Sequence, residues 1–321
     1  MNAVVLAGGY ATRLWPVTRN RPKMFLPVGE RAVIDRIFEA LEADDRVEEV
    51  YVSTNERFAA DFETFLADSD YEKPVVSVED TTGEDEKFGV VGALAQLVER
   101  EGIDGDLFVV AGDNLIGFDL SDFLDSFEDN GSPTLAAYDV GSREKASSYG
   151  VIDTKGNRVV ALEEKPDDPP SSLVSIACYA FPRESIRFRE YLQAGNNPDE
   201  PGWYLRWLVE HDEVYAFPFE DVWFDIGSPE SYLEAVSWAL DGESVVADDA
   251  AIEDSDLGAD VHVMSGATVT DSELSGSIVF SDARIDDCTA RDSIVDEGTH
   301  IEGLDLSGAL IGAHTKITND S

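Results

Sequence analysis

The run LAGGYATRLWPVTRNRPK, Leu6 to Lys23, decides how the rest of the chain reads. It follows the short apolar stretch Ala3-Val4-Val5, which has the composition of a buried first strand. Gly8 and Gly9 carry no Cβ, so the backbone after that strand is free to turn sharply and to approach a ligand closely. Arg13, Arg19, Arg21 and Lys23 then follow in a chain whose formal net charge is -44. A glycine turn offering backbone N–H groups, with fixed cations beyond it, is what a triphosphate needs. No G-x-x-x-x-G-K-[ST] run is present, and Gly8-Gly9 lacks the G-x-G-x-x-G spacing.

The wider composition narrows the partners. With 321 residues, 43% of them hydrophobic, the chain is long enough for a large core and two domains. Acidic residues outnumber basic ones 67 to 23, which disfavours nucleic acid and anionic membranes as partners. Acid excess with few lysines fits a halophilic protein, because salt screens the self-repulsion. Cys178 and Cys288 stand in apolar surroundings, which argues against a disulfide framework or a zinc site. No leader precedes Val4 and no apolar run nears 18 residues, so a cytoplasmic location is expected.

Outward from the opening run, strand and helix patterns alternate. Val33 to Leu41 has helical apolar spacing, Val50 to Ser53 reads as a strand, and Phe58, Phe62 and Phe65 mark a helix. Pro74 to Val78 is a strand, Val90 to Glu99 a helix, and Leu107 to Ala111 an apolar strand ending in Gly112-Asp113-Asn114. This rhythm implies an α/β fold, a Rossmann-like, mostly parallel sheet flanked by helices. Ligands of such sheets lie beyond the carboxyl ends of the strands, where Gly8-Gly9 and Asp113 both fall. A carboxylate in Asp113's place suits Mg²⁺ bridging phosphate oxygens.

Five separated elements resemble the sugar-phosphate nucleotidylyltransferases, in order, over Met1 to about Leu240. They are Gly8-Gly9 with Thr12-Arg13-Leu14, Pro16 and Pro22-Lys23; Gly112-Asp113-Asn114; Tyr149-Gly150-Val151; Glu163-Glu164-Lys165-Pro166; and Trp223-Phe224-Asp225-Ile226-Gly227-Ser228. The resemblance implies an enzyme that joins an NTP to a hexose 1-phosphate and releases pyrophosphate. It implies Arg13 on the leaving pyrophosphate, Lys23 on the α-phosphate and Lys165 on the sugar phosphate. Glu164 would meet a sugar hydroxyl, with Tyr149, Gly150 and Trp223 beside the sugar. Asp113 and Asp225 would hold Mg²⁺, and the backbone of Leu6, Ala7, Gly8 and Gly9 would meet the nucleotide with Gly89 and with Glu79 or Glu84. The chain departs at Ala11, where the family has glycine, and at Ser175 and Ala177, where it often shows Asn and Gly.

Past Gly242 the composition changes to an internal repeat. SIVFSDARI from Ser277, SIVDEGTHI from Ser293 and ALIGAHTKI from Ala309 align without gaps, and SDLGADVHV from Ser255 reads as an earlier, less regular copy. Apolar residues step by five or six, at Leu257, Val263, Val269, Leu274, Val279, Ile285, Val295, Ile301, Leu306, Ile311 and Ile317. That spacing predicts a parallel β-helix, which resembles the left-handed form found behind several nucleotidylyltransferases. The expected domains are therefore 1–242, catalytic, and 243–321, a solenoid mediating homo-oligomer contacts. His262, Arg284, His300 and Lys316 align as a cationic stripe.

Glucose 1-phosphate with dTTP or UTP is the favoured substrate pair, on Asp113-Asn114. Glu79, an acceptor only, and the run DIGSPESY point instead to a mannose-1-phosphate guanylyltransferase. Readings from other classes are a non-catalytic nucleotide-sensing subunit, should Ala11 spoil the loop, and a bifunctional enzyme with acyl transfer based on His262 or His300.

Overall fold

The computed structural model describes residues 1–79 and 88–319; Glu84 and Lys87 lie outside them. The chain forms two compact units, one of residues 1–9 and 34–223, the other of residues 10–33 and 224–321.

The first unit is built on a nine-stranded sheet. Its strands are β1 (Asn2–Leu6), β2 (Glu49–Asn55), β3 (Pro74–Glu79), β4 (Leu107–Ala111), β5 (Thr134–Asp139), β6 (Gly150–Lys155), β7 (Arg158–Glu164), β8 (Leu173–Phe181) and β9 (Val214–Phe219). Their spatial order is β3-β2-β1-β4-β8-β5-β9-β7-β6. The first four run parallel to one another. The long strand β8 enters antiparallel between β4 and β5, and it also pairs with β6 through Ser175 and Gly150. The central strands are apolar throughout because both faces are covered: Ala3, Val4, Val5 and Leu107 to Val110 are at most 1% exposed. The core on one side gathers Val4, Val109, Leu94, Leu97, Phe181, Tyr204 and Leu208. The alternation read from the sequence is therefore an α/β sheet, parallel in its first half and mixed in its second. No helix among the described residues is long and apolar enough to cross a membrane.

The second unit holds the helix Pro229–Leu240 and a parallel β-helix. Ser228 and Ser231 close a capping box at the start of that helix, with Pro229 at its first position. The solenoid has three parallel sheets of five, five and four short strands. Coils stack Val263 on Val279, Val295 and Ile311, and Val269 on Ile285, Ile301 and Ile317. All of these except Ile317 form a core with Leu274, Ala283 and Ala290. Ile317, in the last described coil, is 40% exposed.

One alignment is corrected by the register. Ser255–Val263 does not superpose on the later copies: Leu257 stacks on Leu274, and His262 stacks on Ile278. The first coils are one residue longer, Val245 pairing with His262 and Ile252 with Val269. The stripe is therefore Thr268, Arg284, His300 and Lys316. His262 is 7% exposed, and burial lowers its pKa.

The corners place six aspartates where the chain turns. Asp254, Asp260, Asp271, Asp282, Asp287 and Asp292 all have φ between 47° and 58°, the left-handed region that aspartate tolerates better than most side chains. At one corner the stacked residues run Gly266, Asp282, Gly298, His314, and at another Asp260, Gly276, Asp292, Gly308. Each side chain lies over a bare glycine where the contacts are tightest: a Cβ on Gly266 would stand 2.4 Å from Asp282 Oδ1, and one on Gly276 2.6 Å from Asp292 Oδ1.

Candidate functional site

In the first unit, the ends of parallel strands bring the nucleotide-side candidates together. Leu6 is level with Ser53 and Ala111, and Asn55 with Glu79. The glycine turn is tied down by β2: Ala7 N donates to Ser53 O at 2.7 Å, and Asn55 Nδ2 donates to Gly8 O at 3.0 Å. Ser53 Oγ donates to Glu79 Oε1 at 2.9 Å. A Cβ on Gly8 would lie 2.7 Å from the same carboxylate oxygen, so Glu79 stands directly against the turn. Gly112 N donates to Leu6 O at 2.9 Å, which sets Asp113 at the adjacent strand end. Gly89, with φ 73°, packs on the backbone of Pro198 and Asp199.

The sugar-side candidates form a second cluster in the same unit. Lys165 N donates to Tyr149 O at 3.0 Å, and the Tyr149 and Trp223 rings meet edge to face at 5.1 Å. Trp223 Nε1 donates to the buried Asn114 Oδ1. Glu164 is wedged between glycines: Cβ atoms on Gly150 and Gly202 would fall 2.9 and 1.6 Å from its Oε2. Burial and then neighbouring Glu200 push the Glu164 carboxyl up to about 6, against the pull of Lys165. Lys165 itself has φ 46°, strained for a residue with a Cβ, and its ammonium pairs with Glu200. Glu200 and Gly202 were not foreseen. Their signal was Pro201-Gly202 opening a helix, since glycine there weakens the helix and marks a close approach.

Arg13, Lys23 and Asp225 belong to the second unit. A Cβ on Gly227 would lie 2.9 Å from Arg13 Nη2 and 3.5 Å from Asp225 Oδ1, so that glycine lets a cation and a carboxylate share one small space. Ala11 has φ 48° and ψ 43°, the left-handed geometry that glycine would take without strain. Thr18 Oγ1 donates to Ala11 O at 2.9 Å and Leu14 N to the same oxygen at 3.0 Å, holding it there. The loop thus makes the turn with alanine. Lys23 opens a short 3-10 turn, Lys23–Phe25, directly after Pro22. Arg21 departs from the expected cation cluster: its guanidinium pairs with Asp296 and lies 5.0 Å from the Phe280 ring centroid.

The sequence profile of the family described as Nucleotidyl transferase matches residues 2–242. The chain belongs to that family. It is 32% identical over 235 residues to a Sulfolobus acidocaldarius protein that carries a mannose-1-phosphate guanyltransferase name, covering 73% of this chain and 61% of that one. A mannose-1-phosphate guanylyltransferase of Mycobacterium tuberculosis is 30% identical over 305 residues, covering 89% of this chain and 81% of its own length. The chain thus spans less than two thirds of the length of the first of these relatives. Among solved structures, a Bacillus anthracis protein named for glucose-1-phosphate thymidylyltransferase, in complex with a sucrose, superposes with a TM-score of 0.63. It is 22% identical and covers 75% of this chain and 96% of that one, a likeness of fold.

Asp113 in the first unit and Asp225 in the second each offer the oxygen donor that Mg²⁺ takes, an ion that completes its shell with water and substrate phosphates. Among the described residues, no three histidines, cysteines or carboxylates are grouped as an all-protein metal cage.

Proposed function

We propose that this chain joins an NTP to a hexose 1-phosphate, giving an NDP-sugar and pyrophosphate. The observation that carries the reading is the convergence of Gly8, Glu79 and Asp113 at the carboxyl ends of parallel strands, in the unit that also holds Glu164 and Lys165. A phosphate oxygen of the sugar phosphate attacks the α-phosphorus, and the bond to the β-phosphate oxygen breaks. Chemistry of this kind needs positioning and charge neutralisation above all. Lys23 meets the α-phosphate, Arg13 the leaving pyrophosphate and Lys165 the sugar phosphate. Glu164 accepts from a sugar hydroxyl, beside Tyr149, Gly150 and Trp223. Asp113 and Asp225 hold Mg²⁺, which when bound neutralises phosphate charge.

The base turns on Glu79. A carboxylate has two acceptor oxygens, and guanine's edge offers two adjacent donors. A pyrimidine offers one N–H between carbonyl oxygens, which sets like charges against the carboxylate. Asn114, the residue that leaned towards glucose 1-phosphate with dTTP or UTP, is buried and engaged with Trp223. GTP with mannose 1-phosphate is therefore the first reading, and glucose 1-phosphate with dTTP or UTP the second. A matrix of nucleotides and sugar 1-phosphates, read by Mg²⁺-dependent pyrophosphate release, separates them. Release in no combination removes the transferase reading; release with UTP or dTTP alone removes guanine.

Assembly into a homo-oligomer through the β-helix, where Ile317 is exposed, is part of the same reading. An unchanged mass by light scattering for Ile317→Asp rejects it. A salt optimum near molar concentrations is expected from the acidic surface.

A further inference from the structure

Three residues at one position of successive coils, Phe280, Asp296 and Gly312, face the opening run of the chain. They are 16 residues apart and each directly follows a strand of the same sheet, Ile278–Val279, Ile294–Val295 and Leu310–Ile311. Arg21 pairs with Asp296, whose side chain is 1% exposed, stacks over Phe280, and reaches Glu297 at 3.8 Å. Pro16 fills the space beside Gly312, where a Cβ would stand 2.7 Å from Pro16 Cβ. The repeat keeps its apolar core from coil to coil, yet has an aromatic ring, a buried carboxylate and a bare backbone here. Those are three different answers to one neighbour.

The restraint reaches Lys23 through very little chain. Only Pro22 separates Arg21 from Lys23, its ring fixes φ at -58°, and the 3-10 turn follows at once, with Phe25 N on Pro22 O and Leu26 N on Lys23 O. Farther along, the buried Tyr232 hydroxyl donates to Pro27 O at 2.8 Å. The segment is pinned on both sides of the lysine, and the rotational freedom left to it is small.

We propose that Phe280 and Asp296 of the solenoid are positioning residues for nucleotidyl transfer, fixing the Pro22-Lys23 turn by clamping Arg21. The inference rests on the role of Lys23 given above and extends it: the β-helix takes part in the chemistry by holding the phosphate-facing segment in place. Asp296→Asn keeps the shape and removes the charge that holds Arg21. In the full-length chain it is expected to lower kcat about ten- to a hundredfold, the cost of a misplacement near 1 Å. KM for the sugar phosphate should change little, and hydrogen exchange over residues 15–26 should quicken while the solenoid core keeps its protection. Arg21→Lys, which retains a cation, is the milder companion variant if Asp296→Asn does not fold, and it should move kcat and exchange in the same direction.

Pyrophosphate release at the wild-type rate by a folded Asp296→Asn protein overturns the proposal. Unchanged exchange over residues 15–26 overturns it as well, because the segment is then held by other contacts. If Asp296→Asn does not fold, wild-type turnover or exchange in Arg21→Lys overturns it equally. Failure of the wild-type protein to release pyrophosphate from any pair would instead condemn the transferase reading itself.

Discussion

The two lysines that stand beside prolines are held in opposite ways. Lys165 carries its restraint locally: its backbone is left-handed and its ammonium is already paired with Glu200. Lys23 lies in ordinary backbone, and the restraint comes from Arg21 on the solenoid wall, 275 residues away from it in sequence at Asp296. The left-handed backbone of Lys165 persists because close neighbours hold it, Tyr149 through its carbonyl and Glu200 through its carboxylate. Changes at Tyr149 or Glu200 should therefore be felt at Lys165, and changes on the solenoid wall at Lys23.

Lys23→Ala gives the largest effect expected from this contrast. Loss of one preorganised donor to the developing phosphate charge should cut kcat by roughly two to three powers of ten. Turnover within a few-fold of wild type, measured by pyrophosphate release, would take Lys23 out of the reaction. Lys165→Ala should show the other pattern, an increase of about tenfold in KM for sugar phosphate with the NTP value nearly unchanged, on the scale of one charge-assisted contact. Equal increases in both would erase the distinction between the two lysines.

Glu164 sharpens the local side of the comparison through pH. Its carboxyl is raised from 4.5 to about 6, so the fold resists its ionisation. Its unfavourable contribution is absent below the unfolded value and grows as pH rises through about 6. Glu164→Gln should therefore leave the melting temperature near pH 4 almost unchanged relative to wild type and raise it at pH 7. The KM for sugar phosphate in the wild type should change more steeply with pH through the same window than in the glutamine variant, where only the ionisation of the phosphate monoester near 6 remains. A flat difference in melting temperature across pH 4–7 would show that the glycine cradle does not penalise the charge.

Ala11→Gly is the smallest test. A left-handed alanine costs about 1 kcal/mol, and glycine removes that strain while adding freedom to the unfolded chain. The expected result is a gain of a few tenths to about 1 kcal/mol in chemical denaturation, with turnover unchanged. A loss of stability would mean that the alanine methyl packs more favourably than its backbone suffers.

The strand and helix rhythm, the five motif elements and the sixteen-residue coil were all legible, since each is written as local periodicity or as a short run. Misreadings came where contacts are distant. Arg21 looked like one more cation for phosphate, because nothing near it in sequence announces a buried aspartate on a coil wall. His262 was aligned with the wrong sheet because a single extra residue in the first coils shifts the phase without disturbing the apolar spacing. Glu200 and Gly202 reach Glu164 only through packing of the helix Pro201–His211.

The alternation of glycine and acid at two solenoid corners has a consequence for how such a rod can lengthen. Each coil is the complement of the next: where one presents a side chain, its neighbour presents a gap. At these corners the structural unit is therefore a pair of coils, about 32 residues, twice the repeat read from the apolar residues. Duplicating one coil would set carboxylate over carboxylate at one corner and gap over gap at the other. Duplicating two would preserve the fit. At these two corners added coils fit best in pairs, whereas the third corner already stacks Asp254, Asp271 and Asp287 in successive coils and sets no such condition.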